Sequence, residues 1–217
     1  MGFILRLVKA MKIGFLCGSF DPIHIGHLHM ITVALASNYV DKVIVIPTMQ
    51  NPWKKDAPLP FDIRCAFIKD AIAPFGNKCE LSRVEELVEG TKYFYKTSKI
   101  LREQFKDDEL YIIAGTDVVK QIHNWKNYDE EIAPYFKVIE ITRNNQCSHD
   151  SSTKDGSIIL SAPTIDVSST LVRTMLQNGQ NPYPYITLSI CDYIKAYDFY
   201  TDSQEEGIKE WFKTFKK

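Results

Sequence analysis

At 217 residues, 45% of them hydrophobic, the chain is long enough for one well-buried domain with an appendage and too short for two full domains. Its 26 basic and 27 acidic residues leave a formal net charge of -1, so no global field draws it to nucleic acid or a membrane surface, and a phosphate ligand must be held locally. Five cysteines, an odd number with no C-x-x-C pair, argue against a disulfide framework and for free thiols in a reducing compartment, with the cytoplasm the expected location.

Residues 1–10 are apolar in patches, but Arg6 and Lys9 interrupt them before a signal-peptide core could form. Gly2 does not make a myristoylation site, because Arg6 stands where that motif needs Ser or Thr. No apolar run is long enough to cross a bilayer. Residues 1–10 are therefore expected to be an N-terminal extension, with the domain starting at Met11.

Lys12 to Cys17 reads as a short buried strand and Leu28 to Tyr39 as a helix, so Gly18 to Gly26 is the loop joining them. Free backbone N–H groups of such a loop converge with the positive end of the following helix, which favours an anion, phosphate above all. Gly18 and Gly26 let a ligand approach the main chain, Pro22 stiffens the loop, and His24 and His27 add side-chain donors. The spacing is neither the G-x-G-x-x-G of dinucleotide folds nor the G-x-x-x-x-G-K of P-loop proteins. A zinc site from His24, His27 and His29 is disfavoured, because His29 points away from His27 on a helix and no further ligand is suitably spaced. Cys17, beside the loop, is a candidate for thiol modification.

Lys42 to Ile46 is a second buried strand. Pro47 to Pro60, with four prolines, Trp53, Lys54 and Lys55, is a functional loop after its C-terminal end. A helix is predicted over Phe61 to Pro74, a strand over Glu80 to Val84, and a helix over Thr91 to Phe105 with Tyr93, Phe94, Ile100 and Leu101 on its apolar faces. The strand Leu110 to Ala114 runs into Gly115-Thr116-Asp117. Asp117 there could accept both hydroxyls of a ribose or cap a helix starting at Val118. Phe136 to Ile141 and Ile158 to Leu160 are strands flanking a polar insertion, Arg143 to Gly156. Ser168, Ser169 and Thr170 open a helix with Arg173 near its first turn, a combination suited to polyphosphate, although hydroxyls also serve as plain caps. Ile208, Trp211, Phe212 and Phe215 recur at helical spacing in 201–217. That extension is expected to dock on its own domain, with a contact between copies in a homo-oligomer as the alternative.

Strands alternating with helices, and functional residues at strand ends, predict an α/β fold: a doubly wound, Rossmann-like parallel sheet over 11–200 with C-terminal helices.

The run Gly18-Ser19-Phe20-Asp21-Pro22-Ile23-His24-Ile25-Gly26-His27 resembles the signature of the nucleotidyltransferase superfamily with the (T/H)-x-G-H motif. Within it the chain is most similar to nicotinate mononucleotide adenylyltransferases, with matches from Met11 to about Ile194. The resemblance implies an ATP site formed by Gly18, Ser19, Phe20, His24, Gly26, His27, Asp117, Ser168, Ser169, Thr170 and Arg173, with His24 and His27 catalytic. The second segment, Val167 to Arg173, is similar to the family's Ile-Ser-Ser-Thr-x-x-Arg. Lys54, in Pro52-Trp53-Lys54 against the family's Pro-His-Lys, is implied to contact the mononucleotide phosphate, with Tyr93 and Trp125 lining the ring pocket. Arg64 also matches a family arginine, read as structural or as supporting the loop. Lys92-Tyr93-Phe94 stands where the family has Ser-Tyr-Thr, so a threonine hydroxyl is lost.

The implied reaction is adenylyl transfer from ATP, with Mg²⁺ carried on the ATP phosphates and no protein metal site, to nicotinate mononucleotide. Nicotinamide mononucleotide and phosphopantetheine are alternative acceptors, and a nucleotide-binding module without turnover is a reading of a different class. The literal H-I-G-H string also occurs in class I aminoacyl-tRNA synthetases, but the chain is too short, has no K-M-S-K-S segment and lacks a basic RNA face.

Overall fold

The computed structural model describes residues 10–49, 59–142, 151–152, 157–163 and 165–215. The expected extension over residues 1–10, apart from Ala10, and most of the Arg143–Gly156 insertion lie outside them. The described strands are β1 (Lys12–Gly18), β2 (Lys42–Pro47), β3 (Cys79–Leu81), β4 (Glu109–Gly115), β5 (Phe136–Thr142), β6 (Ser151–Ser152) and β7 (Ile158–Ser161). They form one sheet in the order β3-β2-β1-β4-β5-β7-β6. All pairings are parallel except that of β6, whose two residues lie antiparallel on the edge of β7. The strand in the polar insertion was not expected; two serines give no period-2 signal.

Each central strand is buried on both faces, and its side chains alternate between two cores. Val43, Val45, Tyr111, Ile113, Ile139 and Ile141 face one. Ile44, Ile46, Ile112, Ala114, Phe136 and Val138 face the other. Helices α1 (Ile25–Ala36), α2 (Phe61–Ile72), α5 (Ser169–Gln177), α6 (Leu188–Ala196) and α7 (Gln204–Phe215) cover the first core. Helix α3 (Phe94–Gln104) and the turns carrying Ile122, Tyr128 and Ile132 cover the second. This is the doubly wound arrangement.

Several boundaries differ from expectation. α1 begins at Ile25, not Leu28, because His24 itself occupies the N-cap, a position where sequence reading looks for Ser, Thr, Asp or Asn. β3 ends at Leu81, and Val84–Leu87 form a 3₁₀ turn. α3 starts at Phe94 rather than Thr91. The short helix α4 (Thr116–Val119) has Gly115 at its N-cap, so Asp117 lies inside the first turn and is not the cap.

In α7, Trp211 is buried and Ile208 and Phe212 pack on the same core as α6. Phe215 is exposed on one side but stacks on Trp211 at 5.0 Å. Gly207 makes that docking close: a Cβ there would stand 1.6 Å from the Tyr197 carbonyl oxygen.

β1 and β4 are neighbours whose chains depart in opposite directions, β1 to β2 on one side and β4 to β5 on the other. The register Leu16↔Ile113 carries both strands two residues further, to Gly18 and Gly115. Their C-terminal ends thus open the crevice at a topological switch point, where ligands of this architecture bind.

Candidate active site

The turn after β1 delivers two histidines to the N-terminus of α1. The backbone N–H of His24 donates to Nδ1 of His27 at 3.2 Å, one half of a capping box in which the His24 side chain faces the His27 N–H in return. Because Nδ1 of His27 accepts, the proton of its neutral ring resides on Nε2, leaving that atom as a donor. The two rings stack at 3.7 Å, and Phe20 meets the His27 ring edge-on at 4.8 Å. Burial, then the neighbouring His24, hold the His27 pKa well below the usual imidazole value, so the ring is neutral at pH 7. The stack leaves little room at Gly26, where a Cβ would lie 3.1 Å from the His24 ring and 3.0 Å from Val167.

The loop before the histidines is held from outside through its carbonyls. Arg64, 1% exposed, donates from Nη1 to the Ser19 carbonyl at 2.6 Å and from Nε to that of Leu59 at 3.0 Å. Arg173 donates from Nη1 to the Asp21 carbonyl at 2.7 Å, and Ser169 Oγ to that of Pro22 at 2.9 Å. The structure therefore brings the first turn of α5 directly onto the turn after β1, although 147 residues separate Ser169 from Pro22 and 152 separate Arg173 from Asp21. Ser168 Oγ accepts the Leu171 N–H at 3.1 Å as the cap of α5, and Thr170 Oγ1 accepts from Arg173 Nη2 at 3.2 Å. The capping role of Ser168 is thus real, and Ser169 has a loop-holding role that sequence reading missed.

Asp117 follows the end of β4, the strand beside β1. A Cβ on Gly115 would lie 2.9 Å from Asp117 Oδ1, so glycine at 115 lets the carboxylate fold back over the strand end. Tyr93 and Trp125 are brought near one another. Phe94 meets Trp125 edge-on at 5.3 Å, and Lys126, next in sequence to Trp125, places Nζ 4.7 Å from the Tyr93 ring centre. Lys54, with Trp53 and Lys55, lies outside the described residues.

Two further features had no sequence signal. Asp21, 2% exposed, accepts the phenol of Tyr200 at 2.7 Å, a pair that no local spacing reveals. Glu85, also buried, accepts the Met49 N–H at 2.7 Å just after β2; burial pushes its carboxyl up to about 7 against the pull of that N–H, Lys92 and Arg64. Burial, then Glu85, raises the Cys17 thiol far above its ordinary value. The thiolate needed for modification is therefore scarce, contrary to the expectation for Cys17.

The Cytidylyltransferase-like family matches residues 15–175. A probable nicotinate-nucleotide adenylyltransferase of Clostridium novyi is 36% identical over 181 residues, spanning 78% of this chain and 89% of the relative. Its counterpart from Clostridium tetani is 34% identical over 193 residues, spanning 84% and 96%. Among solved structures, Plasmodium falciparum nicotinic acid mononucleotide adenylyltransferase complexed with NaAD superposes with a TM-score of 0.70 at 23% identity, covering 87% of this chain and 96% of that one. That last likeness shows the shared fold.

Proposed function

Because the chain belongs to the cytidylyltransferase-like family, and within it to the nicotinate-nucleotide adenylyltransferases, we propose that it transfers the adenylyl group of ATP to nicotinate mononucleotide, giving the deamido-NAD dinucleotide and pyrophosphate in NAD biosynthesis. The observation that carries the reading is the His27 ring, stacked on His24 and accepting the His24 N–H at Nδ1, at a helix N-terminus beside the switch-point crevice.

An oxygen of the mononucleotide phosphate attacks the α-phosphorus of ATP, and the bond to the bridging oxygen of the β-phosphate breaks. That nucleophile is already an anion, so no protein base is required; positioning and charge neutralisation carry the rate. His27 Nε2–H and the His24 ring donate to the phosphates as charge moves onto the leaving pyrophosphate. Backbone N–H groups of Gly18, Ser19, Phe20 and Gly26, with the positive end of α1, supply further donors. Ser168, Ser169, Thr170 and Arg173 border the β and γ groups, Arg173 through the donors not engaged by Asp21. Asp117 accepts from the ribose hydroxyls, and Lys54, Tyr93 and Trp125 hold the mononucleotide. Mg²⁺ would be carried by the ATP phosphates. When bound it would neutralise charge on those oxygens.

We place the enzyme in the cytoplasm. Cys17, Cys65, Cys79 and Cys191 are free thiols, and among the described residues no helix is long and apolar enough to cross a membrane. Small nucleotides, not nucleic acid, are its partners.

Pyrophosphate release from ATP and Mg²⁺, with nicotinate mononucleotide, nicotinamide mononucleotide and phosphopantetheine supplied separately, tests the reading. Release with the nicotinate form is expected. Preference for another acceptor would keep the chemistry and change the substrate; no release with any, despite ATP binding, would leave a nucleotide-binding module.

A further inference from the structure

The turn after β1 is fixed by four side chains from other parts of the chain. Three of them, Arg64, Arg173 and Ser169, draw the carbonyls of Ser19, Asp21 and Pro22 outward. In a trans peptide unit C=O and N–H point in opposite directions, so the N–H groups of Phe20 and Ile23 are turned away from Arg64 and Ser169. The fourth is Tyr200, whose phenol donates to Asp21 Oδ1 at 2.7 Å across a sequence separation of 179. Both partners are buried. Tyr200 sits in a turn with φ of 66°, and its backbone N–H donates to Gln204 Oε1 at 3.2 Å, which ties it to the start of α7.

The Asp21 carboxyl faces Tyr200, the guanidinium groups of Arg173 and Arg64, and the Leu59 N–H. A buried carboxylate without enough donors is costly, and it will take them from whatever is near. Here the charged donors acting on it are the two arginines that hold the loop carbonyls.

We propose that Tyr200 is a positioning residue for adenylyl transfer: by donating to Asp21 Oδ1 it leaves Arg64 and Arg173 on the carbonyls of Ser19 and Asp21, and so holds the loop in the shape that presents the Phe20 N–H, opposite the Ser19 carbonyl, to the ATP phosphates. The proposal rests on the adenylyl-transfer reading. It also gives the C-terminal segment a role at the nucleotide site, which the (T/H)-x-G-H stretch alone does not suggest.

The test compares wild type, Tyr200→Phe, Asp21→Asn and the double variant by steady-state pyrophosphate release and by thermal unfolding with and without ATP and Mg²⁺. Tyr200→Phe is expected to lower kcat/KM for ATP about tenfold and to shrink the ATP-induced rise in Tm, with KM for the mononucleotide held within about twofold. The double variant is expected to be no worse than Asp21→Asn, because the phenol acts through that carboxyl. Unchanged ATP kinetics, equal losses toward both substrates that track a fall in Tm, additive losses in the double variant, or failure of Tyr200→Phe to fold would each overturn the proposal. Wild type without turnover would remove the adenylyl-transfer reading instead, and the ATP-induced Tm shifts would still decide whether Tyr200 supports ATP binding.

Discussion

His24 donates its backbone N–H to Nδ1 of His27 at 3.2 Å, and the two imidazoles stack at 3.7 Å. One contact therefore caps α1, sets the tautomer of His27 and aligns two rings at the N-terminus of that helix, where the proposed reaction needs its donors. His27→Ala is expected to lower turnover about 10²–10³-fold, roughly 3–4 kcal/mol, as loss of one preorganised donor does. Its stability by urea unfolding should fall only by the modest cost of a lost cap, about 1 kcal/mol. Normal pyrophosphate release with lost stability would instead make the histidine a capping residue only.

The pH dependence of stability should carry a signature of Glu85. Its carboxyl is raised to about 7 in the folded protein from an ordinary 4.5. Below pH 4.5 the carboxyl is protonated in both states and costs nothing. As pH rises toward 7 the unfolded chain gives up this proton more readily, so folding stability falls, and above 7 the full cost of the buried charge is present. Glu85→Gln, which keeps an acceptor for the Met49 N–H, should therefore match wild type near pH 4.5 and be more stable at pH 8, by up to about 3 kcal/mol. Equal midpoints for the two proteins at pH 8 would contradict the raised value.

Gly207→Ala should destabilise the protein even though alanine is the better helix former, because the new methyl would collide with the Tyr197 carbonyl. A loss of about 1–3 kcal/mol is expected by urea unfolding. Faster proteolytic cleavage within α7 should accompany it; an unchanged midpoint would mean that α7 docks more loosely than Gly207 implies.

Phe94 meets Trp125 at 5.3 Å and Phe136 at 5.9 Å, both edge-on. Phe94→Thr, which places the family's residue at this position, removes those contacts and about 1 kcal/mol or more of aromatic interaction. KM for the mononucleotide should rise while KM for ATP stays unchanged, since the contact orients Trp125 and not the histidine turn. A matching rise in both constants would argue against a pocket at Trp125.

Much of this protein was legible in its sequence because the informative patterns are local. Buried parallel strands read as short apolar runs, and the strands Lys42–Ile46, Leu110–Ala114 and Phe136–Ile141 were found within a residue or two of their ends. The turn from Gly18 to His27 was legible because its chemistry depends on residues a few positions apart. The start of α1 was misread, since a histidine capping box lies outside the usual capping residues. The two-residue strand Ser151–Ser152 was missed, because its partner β7 alone defines it.

By itself the sequence determined the fold class and the place of the histidine turn, properties of apolar period and short-range spacing, and the motif in that turn carried the resemblance to the family. Only the tertiary structure decided how that turn is held in place: Arg64, expected to support the loop, on the Ser19 carbonyl, and, beyond any sequence expectation, Ser169 on Pro22, Arg173 on Asp21, and Tyr200 on the Asp21 carboxyl. The reason is physical. A buried carbonyl or carboxylate must be satisfied by whatever donor the packed core brings within about 3 Å, and chain separation does not enter that requirement.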